Sequence, residues 1–235
     1  MDKIIKKIIN EIILRRQGNI IDNPQLSMFD CFIKEILSYH DTPAHNIADL
    51  NKKLKRNKFK GPLFEEFCKN YMKYIYQAEY AWLLSEIPED IMKKLSLTRK
   101  DYGIDLVIRK KGKYYPIQCK LKSPKKLSKN KERKYHYVNV TWRELSTFYA
   151  LCNRSGPAGG WEKLIVFTNT QYINRKGRKD ENDKSICYGT MNKLSEDDFK
   201  KILGEESVVK DESNFISSLN EEEIRLKRLE HFTKA

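Results

Sequence analysis

Over residues 1–16 isoleucine recurs at Ile4, Ile5, Ile8, Ile9, Ile12 and Ile13, with Lys, Asn, Glu and Arg between. That three-and-four spacing predicts an amphipathic helix that stops at Gly18. The spacing returns after Asn23-Pro24 over about 25–39, through Met28, Phe32, Ile33, Ile36 and Leu37. Thr42 and Pro43 then read as a cap and a first-turn proline for a short helix to about Leu54. A further helix from Pro62 to about Ala78 aligns Phe64, Phe67, Cys68, Tyr71, Met72 and Ile75. A less regular helical stretch is expected over 82–95, interrupted at Pro88.

From there the period drops to two. Residues 104–109 and 114–121 read as strands joined by a hairpin-length turn containing Gly112. Pro116, inside the second of them, suits an edge or a bulge because it cannot donate to a ladder. A charged stretch at 122–134 precedes a short strand over 135–140. Thr141 caps a helix over 142–152, with Glu144 closing a capping box. A loop at 155–160, a buried strand at 163–169, an exposed polar stretch at 171–184 and a last strand at 185–190 follow. The tail from Glu196 is helical and charged, and residues 221–232 read as a helix, docked or solvated. The Gly-rich run at 156–160 lacks the ending of a phosphate loop and is a turn. The order predicts an α/β core of helices on a mixed central sheet. It divides the chain into a helical N-terminal section with a basic joint (1–60), the core (61–195) and the tail (196–235).

The 235 residues carry 46 Lys+Arg against 32 Asp+Glu, a net charge of +14. Such an excess points to a polyanion, nucleic acid before an anionic membrane surface. No run of eighteen apolar residues exists, which excludes a spanning helix, and the charged N-terminus does not read as a secretory signal. The five cysteines (Cys31, Cys68, Cys119, Cys152 and Cys187) form no CxxC pair and no zinc spacing. Reduced thiols predict an intracellular setting: cytoplasm or nucleoid in a prokaryote, nucleus if the host is eukaryotic or the source viral.

The chemistry concentrates in the hairpin. Alternation puts Gln118 and Lys120 on one face of their strand, with Ile117 and Cys119 on the core face. Pairing with the preceding strand can bring Asp105 beside them. A carboxylate, an amide oxygen and an ammonium would then converge. Mg2+ takes one or two carboxylates plus carbonyl, water and phosphate oxygens, and Mn2+ can substitute. A lysine alongside can orient a water or stabilise phosphate charge. Glu65, with Glu66 as the alternative, lies on the preceding helix and can supply a third oxygen ligand. Polar residues alternating on an exposed hairpin would give the same pattern with no function at all. Glu86 and His136 read as surface or supporting residues.

Gly103-Ile104-Asp105, then Gln118-Cys119-Lys120, resembles the Mrr-like branch of the PD-(D/E)XK nucleases, in which Gln stands for the usual Glu. Gly61-Pro62-Leu63-Phe64-Glu65 resembles that family's helix motif, and the strand ending Thr168-Asn169 its next core strand. The resemblance covers about 61–190. It implies a restriction-endonuclease-like core with a helical N-terminal section, and a Mg2+-dependent endodeoxyribonuclease acting on DNA. Asp105, Glu65 and Gln118 would serve the metal and Lys120 the water or the phosphate. A structure-specific nuclease and a non-catalytic DNA-binding module are the rival readings.

The segment after the catalytic strand carries Lys122, Lys125, Lys126, Lys129, Lys131, Arg133 and Lys134 against Glu132 alone. It is the candidate phosphate-binding flap. Residues 52–60 and 175–179 are secondary basic candidates. Tyr135 and Tyr137 can stack on bases but read first as packing residues. The N-terminal isoleucine stripe reads as core or as a dimer contact rather than a membrane-surface face, and a homodimer through it is the candidate assembly.

Overall fold

The computed structural model describes residues 2–18, 25–38, 59–100, 103–125, 136–137, 139–175 and 181–204. The expected helix over 43–54, most of the basic joint, the greater part of the basic flap with Tyr135, the end of the 175–179 cluster and the 221–232 helix lie outside them.

Helices α1 (Asp2–Gln17), α2 (Met28–Ser38) and α3 (Lys60–Tyr74) precede strand β1 (Tyr80–Leu83) and α4 (Glu89–Lys94). The hairpin is β2 (Leu106–Lys110) and β3 (Lys113–Lys120), followed by the two-residue strands β4 (Pro124–Lys125), β5 (His136–Tyr137) and β6 (Val140–Thr141). Helix α5 (Trp142–Arg154), β7 (Leu164–Thr168), β8 (Ile173–Asn174), β9 (Asp183–Ile186), α6 (Tyr188–Met191) and α7 (Glu196–Leu203) complete the described chain.

The central sheet runs β1-β2-β3-β7-β9, antiparallel through β3 and parallel from β3 to β9. One face is covered by α1, α2, α3 and α7, which pack on Leu106, Ile108, Ile117, Cys119, Ile165 and Phe167. The other is covered by α4 and α5 against Val107, Tyr114 and Val166. This is the restriction-endonuclease-like arrangement, a mixed sheet between helical layers. Strand β7 is buried along its whole length, as its unbroken apolar run requires of a strand covered on both faces.

Local chemistry fixes the ends. Thr141 N–H donates to Glu144 Oε2 at 2.9 Å, the expected capping box at the start of α5. Ser195 and Asp198 do the same for α7, and Ser27 and Asp30 for α2. The β2–β3 turn places Lys111 at φ 51° and Gly112 at φ 73°, the two positive values that a two-residue hairpin of matching twist needs.

Five expectations change. Residues 82–83 belong to an edge strand, not to a helix: Tyr80 and Trp82 alternate on one face, their rings 5.2 Å apart, and the segment pairs with β2. A single 3-10 turn over Leu84–Glu86 precedes Pro88, and the α-helix starts after it, so the interruption at Pro88 is as expected. Pro116 lies in the central strand rather than at an edge. Asp105 N–H donates to Ile117 O, and Cys119 N–H donates to Asp105, so the odd-numbered backbone groups of β3 face β2. The Pro116 nitrogen therefore faces β7, whose pairing begins one residue later at Ile117, and no ladder bond is lost. The isoleucine stripe is the chain's own core: Ile5, Ile8, Ile9, Ile12 and Ile13 are buried with α2, α3 and α7, which leaves no such face for a homodimer. Part of the polar stretch also packs, since Ile173 is buried and β8 pairs with β6. The last central strand ends at Ile186, and α6 takes up the residues beyond it. Among the described residues no helix is long and apolar enough to cross a membrane.

Candidate active site

Asp105 stands at the entry to β2, where the chain crosses from the α5 side of the sheet. Gly103 has φ +124°, and a Cβ there would meet the Thr147 and Phe148 backbone of α5 at 3.0 Å. The Gly-Ile-Asp sequence is thus a close approach followed by a strand, with glycine imposed by contact as well as conformation. Asp105 is held through its main chain on both sides: its N–H donates to Ile117 O and its C=O accepts from Leu84 N–H, each at 2.9 Å.

The Asp105 carboxylate takes over where the β2–β3 ladder ends. Oδ2 accepts from Cys119 N–H at 2.6 Å and from the Gln118 amide. Gln118 is buried, and its amide also lies 3.3 Å from Cys119 O. Both bonds to the carboxylate go to Oδ2. Burial nevertheless pushes the Asp105 carboxyl up to about 6, against the lowering effect of the Cys119 N–H, Lys120 and Gln118.

Glu65 comes from α3, which packs on the sheet face of Leu106, Ile117 and Cys119. Burial, then repulsion from Asp105, pushes it up to about 7, while Lys120 pulls it down. Glu66, the other helix acid, is fully buried and ion-paired with Lys69 at 2.5 Å. Glu65 is therefore the helix acid that faces Asp105. Glu86 is paired with Lys69 as well, at 3.0 Å, and is tied to neither carboxylate of the site.

Lys120 ends β3, and its charge acts on both Asp105 and Glu65. Its carbonyl accepts from Thr168 Oγ1 at 2.8 Å. Two residues on, the buried Asn169 side chain closes on the Lys122 main chain, accepting from its N–H and donating to its C=O, each at 2.8 Å. The end of β7 thus clamps the end of β3. Sequence reasoning assigned Asn169 no role, although three polar residues ending an apolar strand, Thr168-Asn169-Thr170, were the available signal.

The basic flap is only partly described. The Lys122 ammonium is engaged by Glu144, which removes it from the free cations. Lys125 and His136 sit in β4 and β5, which pair with each other, and their side chains fall outside the described residues, as does that of Tyr137. Lys126, Lys129, Lys131, Arg133 and Lys134 lie outside them altogether. Arg175, from the secondary basic cluster, is bound to the buried Asp183 at 3.1 Å.

Two repelling carboxylates in a desolvated position, with oxygen donors only, fit a hard divalent cation. Among the described residues no group of three or more His, Cys, Asp or Glu converges. Glu65 and Asp105 would thus be the protein's anionic ligands, a number that suits Mg2+, which keeps several waters.

A family model for a restriction endonuclease, of Mrr type, matches residues 69–209. The chain belongs to the Mrr-type restriction endonuclease family. The matched span contains Asp105, Gln118 and Lys120 and begins four residues after Glu65. No curated protein and no solved structure matches the chain.

Proposed function

We propose that this Mrr-type nuclease is a metal-dependent DNA endonuclease that hydrolyses phosphodiester bonds at Asp105, Glu65 and Lys120. The carrying observation is the pair of half-buried carboxylates from two separate elements, with one lysine acting on both. Membership of the family supports hydrolysis of nucleic acid, and the net charge of +14 supports a polyanionic substrate.

Glu65 and Asp105 would hold the ion, and Gln118 and the Cys119 N–H fix the Asp105 carboxylate through Oδ2. A bound Mg2+ would supply charge neutralisation at the scissile phosphate and a more acidic water. Lys120, fixed through its carbonyl by Thr168, orients the attacking water and stabilises charge on the phosphate. The segment beyond Lys122, held at its root by Asn169, carries cations to the flanking phosphates.

The test is incubation of duplex DNA, single-stranded DNA and RNA of one sequence with the protein in Mg2+, in Mn2+ and in EDTA. Cleavage of duplex DNA in either metal, absent in EDTA, is expected. Cleavage unaffected by EDTA would remove the metal from the account, and cleavage of RNA alone would remove DNA.

A further inference from the structure

We propose that Lys69 is a positioning residue for the site, locking the helix that carries Glu65 to the strand entry that carries Asp105. The inference rests on the metal-site reading above. The two acids lie forty residues apart on elements that the central sheet alone does not hold in register. One cation can bridge them only if their separation is fixed to a few tenths of an ångström.

The structure contains a continuous chain of bonds that fixes it. Lys69 follows Glu65 by four residues, one turn along α3. Its ammonium contacts both oxygens of Glu86, at 3.0 and 3.1 Å, and Glu66 Oε1 at 2.5 Å. Glu86 Oε2 in turn accepts from Leu83 N–H at 3.1 Å, which holds the turn after β1. The next amide, Leu84 N–H, donates to the Asp105 carbonyl at 2.9 Å. Helix, turn and catalytic strand are thus joined through one side chain.

The energetics favour a geometric purpose over a stabilising one. The Lys69 side chain is 16% exposed and that of Glu66 only 4%. Removing such charges from water costs about as much as their attraction returns, so the intact pair adds little net stability, whereas taking away Lys69 alone strands the buried Glu66 carboxylate and destabilises the fold. An apolar side chain at position 69 would keep the packing and lose the register.

The experiment measures Mn2+ binding from the electron paramagnetic resonance of the free ion, together with hydrogen exchange over residues 80–87 in metal-free protein. It uses the full chain as wild type, Lys69→Met, Lys69→Arg and Glu65→Gln. Lys69→Met is expected to weaken Mn2+ by about tenfold, the usual cost of losing a residue that orients a ligand, and to speed exchange at Leu84. Lys69→Arg, which can still grip Glu86 with two bonds, is expected to restore both. Glu65→Gln is expected to weaken Mn2+ while leaving Leu84 exchange as in wild type. If Lys69→Met binds Mn2+ as wild type does, or if Lys69→Arg fails to rescue a folded protein, the positioning role is overturned while the metal site stands. If wild type itself binds no Mn2+, both fall.

Discussion

Burial raises both acids of the site, Glu65 to about 7 with repulsion from Asp105 adding to it, and Asp105 to about 6, from ordinary values of 4.5 and 3.8. A carboxyl raised on folding binds its proton more tightly in the folded state. Metal-free protein therefore loses stability as pH climbs from about 4 to about 7, the reverse of a salt-bridged carboxylate. Glu65→Gln is expected to flatten that dependence and to stabilise the metal-free protein at pH 8 by on the order of 2 kcal/mol, read from urea midpoints. A midpoint that rises with pH in wild type would contradict the account. Protons and metal also compete for these oxygens, so Mn2+ affinity should climb through pH 6–7 and level off above. At Gly103 the argument is steric: Gly103→Ala must relieve a 3.0 Å approach to the α5 backbone and a φ of +124°. A loss of about 2–4 kcal/mol is expected, measured by thermal melting.

At the scale of elements, the site is a meeting of α3, the β2 entry and the ends of β3 and β7. The hairpin part was legible in sequence because alternation puts Gln118 and Lys120 on one face and a short glycine-containing turn joins the two strands, so Asp105 could be placed beside them. The choice between Glu65 and Glu66 was not legible. Neighbours on a helix differ by about 100°, and only the packed rotation of α3 decides which faces the strand. Strand β1 was missed because its aromatic pair and leucines suit a helix equally well. Its pairing with β2 is a tertiary fact that local propensity does not contain. The Asn169 clamp was missed for the same reason, since its partners lie 47 residues away. Asn169→Ala leaves the Lys122 N–H and C=O without partners beside a buried cavity. It is expected to cost about 2–3 kcal/mol in denaturant unfolding, and an unchanged midpoint would show that the clamp holds nothing.

Across the whole molecule, the N-terminal helices share one core with the sheet. Phe29, Phe32, Phe64 and Phe67 are all fully buried there, and Phe32 lies 4.3 Å from Phe67 between ring centroids. The sequence marked the isoleucine stripe as needing a cover but could not say whose, because a stripe has the same period against its own chain as against another. Its burial under α2, α3 and α7 predicts that Ile9→Ala lowers stability by about 2–4 kcal/mol without changing the sedimentation coefficient. A mutant that dissociates into smaller species would restore the dimer contact.

The central claim is that Lys120, set against Asp105 and Glu65, completes a metal-dependent phosphodiesterase. It is tested most directly by conversion of supercoiled plasmid in Mg2+ by wild type and Lys120→Ala, with Mn2+ binding measured on the same preparations. The account predicts nicked and linear products for wild type, a rate lower by about a hundredfold or more in the mutant, and Mn2+ binding retained in both. Cutting by Lys120→Ala at the wild-type rate would contradict it.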